Sequence, residues 1–231
     1  MSGESSWDRA RWLWLAALLG GASYFGAVLA GWHGPAVFLW KASGVGLLAV
    51  WAWANAREGG GRMIAAALAF GALGDWLLDA VGMLEGAAAF AVGHLIAITL
   101  YLRNRRSALA PSQRLLVWAL VPLSLLIAWA LTREAPAVQM GAAIAYTGGV
   151  AVMAATAWAS RFPRYRTGIG AMLFLASDLF IFAGASGNLP KSVTIWLVWP
   201  LYFAGQALIA WGVVGTLVRE QVVDIRSPES D

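Results

Sequence analysis

Residues 62–102 read RMIAAALAFGALGDWLLDAVGMLEGAAAFAVGHLIAITLYL. Two apolar runs flank a tight turn at Val81-Gly82, and each is close to the roughly 20 residues that carry a helix across a bilayer. Within them stand Asp75, Asp79, Glu85 and His94. A charged side chain at membrane depth costs about 2.5–3.5 kcal/mol on insertion scales, so each of these positions points to function and demands a partner. Those partners must come from elsewhere in the chain.

Composition agrees with a membrane setting. Of 231 residues 60% are hydrophobic and 12% charged, with 14 Trp and 26 Gly; a soluble domain carries about 25% charged residues. The net charge of +4 does not indicate nucleic acid, because the basic residues sit in short loops between apolar runs. Without cysteine there is neither a disulfide framework nor a thiolate metal site. The first apolar run is long for a signal peptide and others follow it, so it reads as a retained helix.

Eight runs fit a membrane crossing: 12–31, 35–54, 62–80, 83–102, 114–132, 137–160, 167–186 and 193–218. Pro35, Pro111 and Pro136 fall at or before helix starts, whereas Pro200 lies inside the last run and predicts a kink near Tyr202. Arginines cluster on one side, in the N-terminal segment (Arg9, Arg11), the loops after the second, fourth and sixth runs (among them Arg57, Arg105 and Arg164) and the tail (Arg219, Arg226). The other side has only Arg133 and Lys191, which places both termini in the cytoplasm. The expected fold is an all-α integral membrane bundle of eight transmembrane helices. Residues 1–11 form a cytoplasmic segment, 12–218 one membrane domain and 219–231 a polar, disordered tail.

An internal repeat is also legible. ALAFGALGDWLLDAVG at 67–82 resembles GAMLFLASDLFIFAGASG at 170–187, and FAVGHLIA at 90–97 resembles YFAGQALIA at 202–210. Asp75 then aligns with Asp178 and His94 falls near Gln206, as expected of two parallel four-helix halves.

Depth follows from the helical rise. Counting from the non-cytoplasmic end, Asp75 lies about 8 Å deep, Lys41 about 9 Å, Asp178 about 12 Å and His94 about 15 Å. Tyr202 and Gln206 fall at about 12–18 Å, while Asp79 and Glu85 are near the rim. Polar groups of five helices thus share one slab, which predicts a buried, water-accessible polar chamber. Each also has a plainer reading. Lys41 can serve as a structural ion-pair partner, Asp79 and Glu85 as solvated rim residues, and Tyr202 and Gln206 as partners for neighbouring donors. His33, in a short outer turn, reads as simply exposed.

At these residues the chain resembles the YhhN family of integral membrane lysoplasmalogenases. The matching pieces are Lys41, LGD at 73–75, GAAAFAVGH at 86–94, GAMLFLASD at 170–178 and YFAGQALIA at 202–210, in the family's order. The resemblance implies an eight-helix bundle that hydrolyses the vinyl-ether bond of a lysophospholipid, releasing a fatty aldehyde and a glycerophospho-base. The residues themselves are expected to act as catalysts at Asp75, Asp178 and His94, with Lys41, Tyr202, Gln206, Ser177 and Asp79 around the substrate. No metal or other cofactor is expected. The setting implied is a multi-pass protein of the cell membrane, the inner membrane in a bacterium, among membrane lipids and with no nucleic-acid partner; its oligomeric state is not legible.

Such chemistry suits the residues. Protonation of the vinyl-ether carbon generates an oxocarbenium ion, so a carboxylic acid, a second anion and a base for water are needed. Two carboxylates in different environments can divide those roles, as in glycoside hydrolysis. Other classes fit less well. A zinc amidase needs about three His ligands, and the chain has only His33 and His94. An intramembrane prenyltransferase needs paired Asp-rich motifs. The competing class is a proton-coupled transporter or lipid-binding protein, which also uses buried ionisable residues and repeated halves.

Overall fold

Eight apolar helices make up nearly all of the described chain. The structure is a computed structural model that describes residues 10–56 and 59–226, with side chains through 221. The helices are α1 (Arg11–Ala30), α2 (Pro35–Ala54), α3 (Gly59–Ala80), α4 (Met83–Arg103), α5 (Pro111–Thr132), α6 (Ala137–Ala159), α7 (Ile169–Ala185) and α8 (Lys191–Arg226). A five-residue π turn, Arg164–Gly168, leads into α7. All eight, taking that turn with α7, are long and apolar enough to cross a membrane. The all-α membrane bundle read from the sequence is the fold observed.

Local chemistry fixes where the helices begin and end. Pro35 and Pro111 stand in the first turns of α2 and α5, where the missing N–H has no intrahelical partner to lose. Gly31 closes α1 at φ 66°, a left-handed conformation that glycine adopts without strain. One boundary differs from the sequence expectation. α8 continues to Arg226, so residues 219–226 of the expected tail are helical. The segment Arg219-Glu220-Gln221 holds good helix formers and no breaker, which lets the helix run past the apolar stretch. Residues 1–9 (with Arg9), Arg57 and residues 227–231 lie outside the described residues.

Neighbours in sequence pack as antiparallel pairs: α1 with α2, α2 with α3, α3 with α4, α5 with α6, and α7 with α8. Across the middle, α4 lies against α6 and α8 lies against α2, α3 and α1. The α4–α6 and α8–α2 contacts are the pair that a two-fold relation between the halves would make equivalent. Outward faces carry Leu19, Leu115, Trp118 and Val138, all largely exposed, as lipid-facing positions should be. The interior holds Leu48, Trp51, Ile64, Leu68, Leu100 and Val213.

Apolar side chains gain little from leaving lipid for protein, so close packing holds the helices together. Small residues permit it. A methyl group on Gly170 would stand 2.6 Å from the Gly205 carbonyl oxygen, and one on Gly205 would meet the Gly170 carbonyl at the same distance. At the end that carries both termini, polar contacts tie the α4–α5 loop to the segment after α6. Arg106 donates to the Ser160 and Phe162 carbonyls at 2.6 and 3.1 Å. Arg161 donates to Asn104 Oδ1 at 2.7 Å and pairs with Glu220.

Because backbone meets backbone at Gly170 and Gly205, Gly205→Ala should destabilise the detergent-solubilised protein by about 1–3 kcal/mol. Gly149→Ala, with nothing within 4 Å of the added carbon, should leave the thermal unfolding midpoint unchanged.

Candidate functional site

The ionisable residues of the spans gather toward the end of the bundle opposite the termini. Lys41 on α2 and Asp79 on α3 meet there, Nζ to Oδ2 3.0 Å, with side chains 13% and 25% exposed. The sequence reading of Asp79 as a solvated rim residue therefore gives way to an ion pair, because α2 and α3 are adjacent and bring the amine within reach. Glu85, in the first turn of α4, is exposed.

One turn deeper on α3, Asp75 is buried at 3% exposure. Its partner comes from the far end of the chain: Tyr202 on α8 donates its hydroxyl to Asp75 Oδ2 at 2.7 Å. Gln206, one turn along α8, donates Nε2 to the Tyr202 oxygen at 3.5 Å. Gly71 leaves room for that amide, since a methyl group there would stand 3.0 Å from Gln206 Nε2.

Asp178 on α7 and His94 on α4 are buried too, at 7% and 6% exposure. Both face Tyr146 of α6. Its hydroxyl lies 3.5 Å from His94 Nε2 and interacts with the Asp178 carboxyl. Asp178 Oδ2 makes no hydrogen bond among the described residues. Phe174 sits between the two clusters, its ring edge-on to His94 at 5.0 Å and to Tyr202 at 5.1 Å. Phe90, set over Gly74, closes the same wall against Phe174 and Tyr202.

The site is thus two carboxylate–tyrosine pairs from four helices, with an imidazole beside the second. Asp75 and Asp178 are close enough to sense each other's charge. The remaining sequence-derived residue, Ser177, is fully buried and donates to the Val198 carbonyl at 2.9 Å, so its hydroxyl is engaged in α7–α8 packing. Sequence reasoning missed Tyr146 and Tyr24. Both lie well inside their runs, away from the interfacial belts where tyrosine collects, and that displacement was the available signal.

The single water-accessible chamber expected from the slab resolves into two spaces. One is a narrow cavity of about 20 Å³, room for roughly one water, bordered by His94, Gln206, Gly71, Tyr101 and Phe174 but not by the carboxylates. The other, of about 650 Å³, opens at the end of the bundle; Asp79 and Tyr24 stand on its wall. Rings of Tyr24, Trp199 and Tyr202 form a row of edge-on and tilted contacts from it towards Asp75, with centroids 4.4 and 5.4 Å apart. Among the described residues no group of three or more His, Asp or Glu is placed to hold a metal.

Against known proteins, the YhhN family model matches residues 36–213, from the start of α2 to near the end of the apolar part of α8. Comparison with curated proteins and with solved structures returns no match.

Removing one member of a buried ion pair strands the other. Lys41→Met should lower stability by about 1–3 kcal/mol, and Lys41→Met with Asp79→Asn should recover most of it. Chemical or thermal unfolding of the four members of this cycle in one detergent measures the coupling.

Proposed function

The chain belongs to the YhhN family, and from that membership and the paired carboxylates we propose that it hydrolyses the vinyl-ether bond of lysoplasmalogens. The products are a fatty aldehyde and a glycerophospho-base. The observation that carries the reading is the burial of two carboxyls in the bundle interior, Asp75 bonded to Tyr202 and Asp178 near Tyr146, with His94 on the wall of a cavity of about one water's size.

The two carboxyls have different surroundings, and those differences assign the roles. Asp178 has one oxygen with no hydrogen-bond donor among the described residues. A buried carboxylate left so would be costly, so Asp178 is the acid. It delivers its proton to the β-carbon of the alkenyl chain. The electron pair of the double bond forms the new C–H bond, and the ether oxygen shares the resulting positive charge. Asp75 is the anion that stabilises this oxocarbenium ion, held in place by the Tyr202 hydroxyl, with Lys41 one turn away beyond Asp79. Water from the cavity adds to the cationic carbon as His94 accepts its proton. The hemiacetal then expels the glycerol oxygen, which takes the proton from His94 and leaves as the alcohol, while the hemiacetal hydroxyl gives its proton back to Asp178 and the aldehyde remains. Gln206 and Tyr202 orient the ether oxygen.

The orientation read from the arginines completes the proposal. With both termini cytoplasmic, the open end of the bundle faces away from the cytoplasm, and substrate arrives from the outer leaflet of the cell membrane.

Purified protein in detergent, given a 1-alkenyl lysophospholipid, should release aldehyde. Asp178→Asn and Asp75→Asn should each reduce kcat by about 10²–10⁴-fold, and Tyr202→Phe should cost less because the carboxylate itself remains. Full activity in either Asn variant would remove that residue from the chemistry. No aldehyde from the wild type, together with solute uptake that requires sealed vesicles, would support a transporter instead.

A further inference from the structure

The open space at the end of the bundle has a composition of its own. It is walled by α1, α2, α3 and α8, and His33 and Lys191 stand at its rim with Asp79 and Thr194. Its volume of about 650 Å³ falls within the usual range for small-molecule sites, roughly 300–1,000 Å³. One wall is apolar, formed by Phe38, Leu78 and their neighbours.

Its charge is unbalanced. Asp79 is already matched by Lys41 at 3.0 Å. Lys191 has no ion-pair partner among the described residues, whereas Arg133, the other basic residue of the loops at this end, lies 4.0 Å from Glu134. Neither Lys191 nor His33 makes a side-chain hydrogen bond among the described residues. An end of the molecule otherwise nearly free of cations thus places an unpaired one on this pocket, with an imidazole on the same wall.

The geometry points to a binding site for the phosphodiester headgroup of a single-chain phospholipid, with Lys191 and His33 on the phosphate and the apolar wall along the glycerol carbons. This assignment rests on the hydrolase reading and supplies its headgroup subsite. The spacing suits that substrate. Asp79 on the wall and Asp75 below it are one helical turn apart, about 6 Å along the axis. A glycerol backbone spans a similar length, so a phosphate held at the rim leaves the ether oxygen at the depth of Asp75. The Tyr24–Trp199–Tyr202 row of rings lies along that path. Lys41 does not line this pocket, and its ammonium already donates to Asp79.

The test is equilibrium binding of ester-linked lysophosphatidylethanolamine to the full-length protein in detergent, with 1-monoacylglycerol and inorganic phosphate as comparison probes. Loss of a hydrogen bond to a charged group is worth about tenfold or more in affinity. Lys191→Gln should therefore weaken lysophospholipid binding about tenfold, His33→Ala less, and Lys191→Arg should retain it. Monoacylglycerol binding, which involves no phosphate, should be unaffected, and all variants should keep the wild-type unfolding midpoint. An unchanged Kd in the His33→Ala/Lys191→Gln double variant overturns the assignment, as does an equal loss for monoacylglycerol. Inorganic phosphate binding as tightly as the lipid would give the pocket to free phosphate and overturn the lipid headgroup. Because the probe has no vinyl ether, Lys191-dependent binding stands even if no aldehyde is released, and a failed hydrolysis assay is distinguishable from a failed headgroup site.

Discussion

The hydrogen bond from Tyr202 to Asp75 is the contact on which the rest of the structure turns. It joins α3 to α8 at 2.7 Å, and both side chains are buried in the bundle interior. A carboxyl group buried without a donor would cost several kcal/mol, so the last helix of the chain is obliged to lie where its tyrosine can reach the third. Packing alone would fix that position less firmly, since helices in lipid lack a strong hydrophobic drive to associate. Around this bond the rings of Phe90, Phe174 and Trp199 pack against Tyr202.

From this constraint follows a division of the charged groups by depth. Near the open end, where the dielectric is higher, a full ion pair between Lys41 and Asp79 is sustainable. Deeper in, the carboxyls of Asp75 and Asp178 meet tyrosine hydroxyls instead of cations. Neutral donors orient a carboxyl without fixing its charge as firmly as an ammonium would, and this leaves two acids free to differ. Each half contributes one aspartate at corresponding places in α3 and α7, while the surroundings, a Gln206–Tyr202 relay on one side and a His94–Tyr146 contact on the other, are not equivalent.

Much of this was legible in the sequence. Run length and hydropathy gave all eight crossings, and the helical rise placed Lys41, Asp75, Asp178, His94, Tyr202 and Gln206 in one layer. Depth along a helix is a one-dimensional quantity that the sequence contains. The azimuth of each side chain, and which helix stands opposite, are not. Hence the reading could not tell that Lys41 turns to Asp79 and not to Asp75, or that the Ser177 hydroxyl faces the α8 backbone. Tyr146 and Tyr24 escaped because they look apolar in a hydropathy profile; their role depends on neighbours from other helices. His33 and Lys191 lie far apart in sequence, and only the packing of α1 and α8 around one opening brings them together.

The most direct measurement is an experimental structure with a saturated 1-alkyl lysophospholipid, an ether that cannot be protonated at carbon and so remains intact. The expected result is ether oxygen beside Asp75 and Tyr202, with the second carbon of the alkyl chain, the one that corresponds to the protonated β-carbon, facing Asp178. A lipid lying on the outer belt of the bundle, with the Tyr202–Asp75 pair sealed away from it, would contradict the assignment of these carboxyls to catalysis.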